Sequence, residues 1–167
     1  MEQTPKANRV HIGFFGRCNA GKSTLINMLT GQPIALVSEV AGTTTDPVSK
    51  AMEILPLGPV VITDTAGVDD TSELGPLRIN KTKELLPRMN LAVYVLKTDA
   101  ALTAADMEWL GLLQRQNVNT LLVLNEVAGI TADSYMAQAG AVLGDLNLAY
   151  IGADLLKNDK QRVILEN

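Results

Sequence analysis

The segment from Gly16 to Ser23 has the residue types and the spacing that phosphate binding requires. Its sequence, Gly-Arg-Cys-Asn-Ala-Gly-Lys-Ser, fits the pattern GxxxxGK[ST], in which glycines let successive backbone N–H groups point at a di- or triphosphate. In that pattern Lys22 reaches the outer phosphates and Ser23 offers its hydroxyl to Mg²⁺. An apolar strand pattern precedes the motif, and a helical pattern that ends at Gly31 follows it. This strand–loop–helix context distinguishes a phosphate-binding loop from a chance glycine turn.

Two further segments carry side chains suited to a magnesium ion and a γ-phosphate. Asp64-Thr65-Ala66-Gly67 follows an apolar strand pattern; Asp64 can hold Mg²⁺ through water, and the Gly67 N–H can contact a γ-phosphate when the loop closes. Residues 42–46, Gly-Thr-Thr-Thr-Asp, supply hydroxyls, and we expect Thr44 to complete the Mg²⁺ shell only while the γ-phosphate is present. Taken alone, the first segment is a turn sequence and the second is a weak signal. Together with the phosphate loop they predict a nucleotide-dependent switch.

The remaining patterns predict the α/β fold that positions these loops. Strand-like and helix-like segments alternate, which is typical of a mostly parallel sheet with helices on both faces. The predicted strands are residues 10–15, 50–55, 60–63, 91–96, 120–124 and 148–151, and the predicted helices are residues 23–30, 77–86, 104–116 after a Thr103 cap, 132–143, and a terminal helix from Asp154. The turn at residues 56–59 joins two strands in an antiparallel hairpin. One such hairpin in an otherwise parallel six-stranded sheet indicates the GTPase version of the doubly wound fold.

Composition and charge limit the class of protein and its partners. The 167 residues, 47% of them hydrophobic, suit one folded domain, expected over residues 9–167 after an N-terminal extension of residues 1–8. The net charge of −4 gives no basic footprint for nucleic acid or an anionic membrane. No apolar run approaches the roughly 20 residues that span a bilayer, so we expect a cytoplasmic protein without membrane or nucleic-acid partners. The lone cysteine, Cys18, is interpreted as a tolerated loop residue rather than a nucleophile.

These motifs resemble those of the TrmE–Era–Der group of translation-factor-class GTPases. More closely, they resemble HydF, the GTPase that matures [FeFe]-hydrogenase. The HydF-like stretches are residues 11–17, 19–23, 34–38, 41–48, 50–60, 64–70 and 73–75. The resemblance covers residues 8–125, and the remainder is similar only in architecture. It implies a Ras-like P-loop GTPase fold and a domain that binds and hydrolyses GTP.

The resemblance also implies partners and cofactors. HydF proteins join a GTPase domain to a dimerisation domain and to a cluster-binding domain with cysteine and histidine ligands. The implied partners are therefore GTP and GDP, those two domains, the hydrogenase and other maturation proteins. With a single cysteine, this chain is expected to require Mg²⁺ but to bind no iron–sulfur cluster. Asn19 matches an asparagine that helps to hold K⁺ in potassium-activated members, where the cation acts as an arginine finger otherwise would; the alternative is that Asn19 shapes a tight turn.

The implied site residues fall into three overlapping sets. The nucleotide-binding set is Asn19, Ala20, Gly21, Lys22, Ser23, Thr24, Asp64, Gly67 and Asn125. The catalytic set is Lys22, Thr44, Gly67 and Glu73, and the metal set is Ser23, Thr44 and Asp64 for Mg²⁺ with Asn19 for K⁺.

The switch loop departs from the Ras-like pattern directly after Gly67. Val68 replaces the glutamine that orients water in Ras-like enzymes, and an apolar side chain cannot do this, so unaided hydrolysis is expected to be slow. Group members use an acidic residue further along this loop. Glu73 is the first candidate, with Asp69 and Asp70 behind it; the alternative is that all three are solvated loop charges.

The guanine-recognition motif departs furthest from the pattern. GTPases read guanine with Asn-Lys-x-Asp after the fifth strand, and this chain has Asn125-Glu126-Val127-Ala128 there. Losing the bidentate aspartate costs discrimination on the order of a hundredfold, and Asp133 and Asp154 have the wrong spacing to replace it. Three interpretations therefore stay open: a GTPase switch, a nucleotide-binding scaffold with relaxed base specificity and little hydrolysis, and a nucleoside triphosphatase with relaxed base choice.

Overall fold

A six-stranded sheet organises the part of the chain that the computed structural model describes, residues 9–31, 33 and 46–156. The strands are β1 Val10–Phe15, β2 Val48–Ile54, β3 Gly58–Asp64, β4 Leu91–Lys97, β5 Asn119–Asn125 and β6 Ala149–Ala153. The helices are α1 Lys22–Thr30, α2 Gly75–Leu85, α3 Ala104–Arg115 and α4 Ala132–Leu143, with short 3₁₀ turns at Leu86–Arg88 and Gly144–Leu146. None of the helices in the described ranges is long and apolar enough to cross a membrane.

The strand order places β1 at the centre of the sheet. The order is β2-β3-β1-β4-β5-β6, and only β2 and β3 pair antiparallel, with Val48 opposite Asp64 and Ile54 opposite Gly58. Phe14 and Phe15 on β1 are both fully buried, as expected where both faces of a parallel sheet are covered. The predicted α/β fold, with one antiparallel hairpin in a mostly parallel sheet, is confirmed.

Helices cover both faces of the sheet and leave the strand ends free for loops. Helix α1 packs on one face through Leu25 and Ile26. Helices α2, α3 and α4 pack on the other face, where the Phe15 and Trp109 rings lie 5.6 Å apart between centroids. Continuous apolar runs such as β4 are therefore buried on both sides, which explains why their sequences do not alternate.

Local capping signals account for several of the helix boundaries. Helix α1 ends at Gly31 with φ 68°, and Thr103 caps α3 in a reciprocal capping box with Asp106, as residue types at those positions favour. Helix α2 begins two residues before its predicted start. The terminal helix does not begin at Asp154, which instead starts a turn in which the Leu156 N–H donates to Asp154 Oδ1. Residues 1–8, 32, 34–45 and 157–167 lie outside the described residues, and with them Thr44, the N-terminal extension and the rest of that predicted helix.

A cavity of about 700 Å³ lies at the amino-terminal ends of the strands, where Leu91, Asn119 and Ala149 line it. The phosphate-binding motif follows the carboxyl end of β1, at the opposite end of the sheet. Open α/β sheets bind ligands outside the carboxyl ends of their strands, so the cavity is not the expected chemical site.

Candidate functional site

The phosphate loop turns sharply between β1 and α1 because three of its residues have positive φ angles. Gly16 has φ 137°, Asn19 φ 59° and Gly21 φ 111°. A Cβ on Gly16 would collide with the Val95 carbonyl oxygen, so only glycine fits there. Within the described helix α1, the first turn has no side-chain cap and no acidic residue. Its free N–H groups and the positive end of the helix dipole therefore face the loop, as an anion requires.

Asn19 is exposed and occupies a left-handed conformation. Asparagine adopts this conformation more readily than most residues, so the loop-shaping role of Asn19 has a structural basis. Its exposed side chain is also placed where a cation beside the phosphates could reach it. The two roles are compatible, and the potassium role stays a prediction.

Lys22 lies folded into the phosphate loop. Its Nζ donates hydrogen bonds to the Gly16 carbonyl at 3.0 Å and to the Arg17 carbonyl at 2.9 Å, and the residue is only 9% exposed. Burial lowers the pKa of the Lys22 ammonium, and the negative charge of Asp64 partly offsets this. The ammonium is thus held by neutral carbonyl oxygens, which phosphate oxygens can replace as stronger, charge-assisted partners.

Asp64 ends β3 beside the phosphate loop, where its backbone pairs with Phe14. Its Oδ1 is buried, and no donor among the described residues reaches that atom. Burial raises the pKa of the Asp64 carboxyl, and the attraction of Lys22 partly counteracts this. A buried acceptor without a partner requires an explanation, and a magnesium-bound water would supply the missing donor.

The oxygen atoms available in this region suit Mg²⁺, which prefers oxygen ligands and keeps several of its bound waters. The Ser23 hydroxyl at the exposed start of α1 and the Asp64 carboxylate are the described residues that would hold it. When bound, the ion would neutralise charge on the β- and γ-phosphates. Thr44, the third predicted ligand, lies outside the described residues.

Asp64→Asn is expected to stabilise the nucleotide-free protein and to weaken nucleotide binding in Mg²⁺. The folded-state pKa lies above the ordinary value of 3.8, so the folded state binds this proton more tightly than the unfolded state does. The free energy of unfolding therefore falls as pH rises from 3.8 through the folded-state pKa, and the ionised group is destabilising above it. Removing the charge should raise Tm at pH 7 by about 2 °C or more. Thermal unfolding between pH 4 and 8 measures this.

The control is Asp145→Asn, which removes an exposed carboxylate after α4 and should leave Tm unchanged. An unchanged or lower Tm of the Asp64→Asn protein at pH 7 would contradict the destabilising role assigned to this partly buried carboxylate.

The loop after β3 is tied to the phosphate loop through main-chain and side-chain hydrogen bonds. The Thr65 hydroxyl donates to the Phe14 carbonyl at 2.7 Å, and the Val68 N–H donates to the Gly16 carbonyl at 3.1 Å. A Cβ on Gly67 would collide with Cys18 Sγ and lie 2.9 Å from Cys18 N. Gly67 therefore lies against the phosphate loop at a point where any side chain would push the two loops apart.

The three acidic candidates of this loop occupy different environments. Asp69 Oδ1 accepts the Cys18 N–H at 2.8 Å; burial would raise its pKa, but hydrogen bonds from Cys18 and from its own backbone lower it. Asp70 accepts the Ser72 N–H and pairs with Arg78 at 3.2 Å. Glu73 is exposed, and the structure shows no hydrogen bond or ion pair between its carboxylate and another described residue. Asp69 is thus the acidic residue in contact with the phosphate loop. The Glu73 carboxylate has no hydrogen-bond or ion-pair partner among the described residues.

Cys18 lies on the phosphate loop and is exposed. Partial burial of the thiol and the neighbouring Asp69 carboxylate raise its pKa, so the thiol stays protonated near neutral pH and is a poor nucleophile. This supports its interpretation as a tolerated loop residue.

Asn125 connects the phosphate loop to the loops after β5 and β6. Its Nδ2 donates to the Ala20 carbonyl at 3.1 Å, and its Oδ1 accepts the Leu155 N–H at 3.4 Å. Glu126 turns towards helix α4, where its Oε1 accepts the Ala132 N–H at 3.0 Å. Asn125, which the guanine-recognition motif retains, therefore links these loops through its side chain. Glu126, which replaces the lysine of that motif, caps the start of helix α4.

Arg17 is a site residue that sequence reasoning missed. Its Nε lies 3.4 Å from Oδ2 of the fully buried Asp106, and its Nη2 donates to the Ala101 carbonyl at 3.1 Å. Asp106 also accepts hydrogen bonds from Tyr94 Oη at 2.9 Å and from the Thr103 hydroxyl at 2.8 Å. Burial, and then the Asp106 carboxylate, raise the pKa of Tyr94, which keeps it a donor. This cluster fixes the phosphate loop to α3 and β4.

Comparison with known proteins relates this geometry to an established family. Residues 11–126 match the family model described as 50S ribosome-binding GTPase. GTPase Der from Sulfurimonas denitrificans is 33% identical over 132 residues, which are 77% of this chain and 26% of that protein. GTPase Der from Wolinella succinogenes is 34% identical over 131 residues, with coverages of 75% and 27%. The chain thus spans about a quarter of the length of these curated relatives.

A solved structure shows the same fold. Era from Aquifex aeolicus, crystallised with GDP and AlF₄⁻, matches with a TM-score of 0.73 at 21% identity, over 93% of this chain and 54% of that one. The likeness confirms the predicted Ras-like P-loop GTPase fold.

Proposed function

Because this chain belongs to the 50S ribosome-binding GTPase family and is a GTP-binding GTPase domain of the Era and Der type, we propose a specific role as a switch. The domain would be the Mg²⁺-dependent, K⁺-assisted switch of a HydF-like [FeFe]-hydrogenase maturation factor. Its slow turnover would reposition the dimerisation and cluster-binding domains of that factor, or release the hydrogenase or another maturation protein. GTP and GDP would be its small-molecule ligands.

The observation that carries the proposal is the pairing of the buried Lys22 at the start of α1 with the partly buried Asp64 at the end of β3. A buried ammonium lies near a buried carboxylate oxygen that no donor among the described residues reaches, and burying such groups without full partners is costly. A magnesium–triphosphate complex would supply partners to both groups, phosphate oxygens to Lys22 and a metal-bound water to Asp64. This complementarity supports the interpretation that the loop binds a magnesium–triphosphate complex, rather than the alternative that the loop has only a structural role.

The remaining roles follow from position. Backbone N–H groups at positions 19–24 would surround the phosphates, and the Gly67 N–H would meet the γ-phosphate. Glu73 would orient the attacking water in the nucleotide-bound state, since its carboxylate is exposed and uncommitted, whereas the Cys18 N–H holds Asp69. Thr44 would complete the Mg²⁺ shell.

The potassium site is tested by GTP hydrolysis in K⁺ against Na⁺ with Asn19→Gly. Glycine tolerates the φ of 59°, so the variant keeps the turn while it removes the side chain and with it the amide oxygen. We expect K⁺ to accelerate phosphate release by the unchanged protein by about tenfold or more, in line with the value of a charge stabiliser in the transition state. The variant should lose this acceleration. If Asn19→Gly kept the full K⁺ effect, Asn19 would only shape the loop.

The maturation role is supported by the HydF-like stretches around residues 41–48 and 50–60. Reading the native gene beyond codon 167 tests it independently of catalysis. A downstream cluster of cysteine and histidine codons is expected, and its absence would remove the support for a cluster-handling partner domain.

A second candidate function is a docking module that binds nucleotide with relaxed base specificity and hydrolyses little. Val68, which is 5% exposed and cannot orient water, favours it. Phosphate release that does not exceed the background of a Lys22→Ala protein, combined with measurable triphosphate binding, would support this module over the switch.

A further inference from the structure

Recognition of guanine makes a specific chemical demand on a binding site. The Watson–Crick edge of guanine presents two adjacent donors, N1–H and the N2 amino group, which a single carboxylate can accept together as a bidentate pair. Hypoxanthine lacks the amino group, and adenine has an acceptor at N1. A site that distinguishes these bases by the two guanine donors therefore needs an acceptor such as an uncommitted carboxylate beside the bound purine.

A purine attached to phosphates in the loop would lie where β5 and β6 end beside the phosphate loop. A Cβ on Gly21 would lie 2.9 Å from both Asn125 Nδ2 and Leu155 Cδ1. Asn125 at the end of β5 and Leu155 after β6 therefore adjoin the start of α1, next to the loop that would hold the phosphates.

Among the residues that the structure describes, the three carboxylates of the segments around this space have other partners. Glu126 Oε1 accepts the Ala132 N–H, and a Cβ on Gly152 would lie only 2.5 Å from that oxygen, so the side chain faces α4 and β6. Asp133 accepts the Tyr150 hydroxyl at 3.2 Å, and Asp154 accepts the Leu156 N–H at 3.1 Å. Position 128, three residues after Asn125, offers only the methyl group of an exposed alanine.

From this arrangement we infer that the site binds purine nucleoside triphosphates without reading the Watson–Crick edge of the base, and that Ala128 is the residue that determines this. ATP and ITP would then be ligands of the same phosphate loop on equal terms with GTP. The inference rests on the proposed function for the phosphate loop and extends it to the substrate class. Affinity would come from the phosphates, from Mg²⁺ and from apolar contact with the ring.

Competition against a fluorescent GTP analogue, with GTP, ITP and ATP in the presence of Mg²⁺, tests the inference. The unchanged protein should bind the three within about threefold of one another. In Ala128→Asp the preference for GTP over ATP and over ITP should rise by about tenfold or more, because a charge-assisted bidentate contact is restored. Ala128 has φ 54°, a conformation that Asp and Asn adopt more readily than Ala, so the variant is expected to fold.

Ala128→Asn is the matched control, since it has the same shape and the same backbone preference without the carboxylate. It should leave GTP and ATP within about threefold. A GTP preference of about a hundredfold in the unchanged protein would overturn this inference and leave the proposed switch intact. Equal GTP preference in the Asp and Asn variants would overturn the assignment to position 128. If no triphosphate bound, the inference and the proposed function would both fail.

Discussion

Lys22→Ala is expected to lower the rate of GTP hydrolysis at saturating Mg-GTP by about 10²- to 10³-fold. The Lys22 ammonium is the cation that the phosphate loop holds in place before any ligand arrives, at 3.0 and 2.9 Å from two carbonyl oxygens. Charge that grows on the transferred phosphoryl group is stabilised by such a preorganised cation, and removing one donor of this kind typically has that effect. Single-turnover phosphate release measures it.

The same substitution also removes the donor that the Gly16 and Arg17 carbonyls share, so stability has to be followed alongside turnover. Lys22→Gln separates the two effects, since its amide can still donate to those carbonyls but carries no charge. It should lose turnover as Lys22→Ala does, with a smaller change in Tm. Lys50→Ala on the exposed side of β2 controls for loss of a lysine. Unchanged turnover in Lys22→Ala would remove the catalytic role of the loop.

Local sequence signals predicted much of the fold because they act within a few residues. The glycines and Lys22 of the phosphate loop, the Thr103–Asp106 capping box and the apolar runs of the central strands each specify structure on their own. The bounds of β1 and α4 are as predicted. The two-residue error at α2 has a simple origin. Pro76 lies in the first turn, where proline is favoured, and it marked the true start at Gly75.

Long-range contacts could not be predicted from the sequence. The choice among Asp69, Asp70 and Glu73 depends on the path of the loop after β3, and the Cys18–Asp69 hydrogen bond joins residues 51 positions apart. Similarly, Asp106 has a recognisable role as a capping residue, but nothing local indicates that it meets Arg17 and Tyr94. The residues of the phosphate-loop motif were predicted from spacing alone, whereas the contacts that hold them in place required the structure.

Asp106→Ala is expected to destabilise the domain by about 3 to 5 kcal/mol. The carboxylate is fully buried and accepts hydrogen bonds from Tyr94 and Thr103 while it pairs with Arg17. Its removal leaves the buried Tyr94 hydroxyl and the partly buried Arg17 guanidinium without their acceptor, and it removes one half of the capping box of α3. Removing one partner of a buried ion pair costs about this much stability. Urea unfolding followed by circular dichroism measures the loss.

Tyr94→Phe is the matched control, because it deletes one donor and keeps the ring; it should lose only about 1 kcal/mol. A double-mutant cycle between Arg17→Met and Asp106→Asn then isolates the link to the phosphate loop, with an expected coupling of about 1 kcal/mol or more. If the coupling is real, Arg17→Met should also weaken triphosphate binding, since Arg17 directly follows the first glycine of the loop. A loss below about 1 kcal/mol for Asp106→Ala, or zero coupling, would show that the phosphate loop keeps its position without α3.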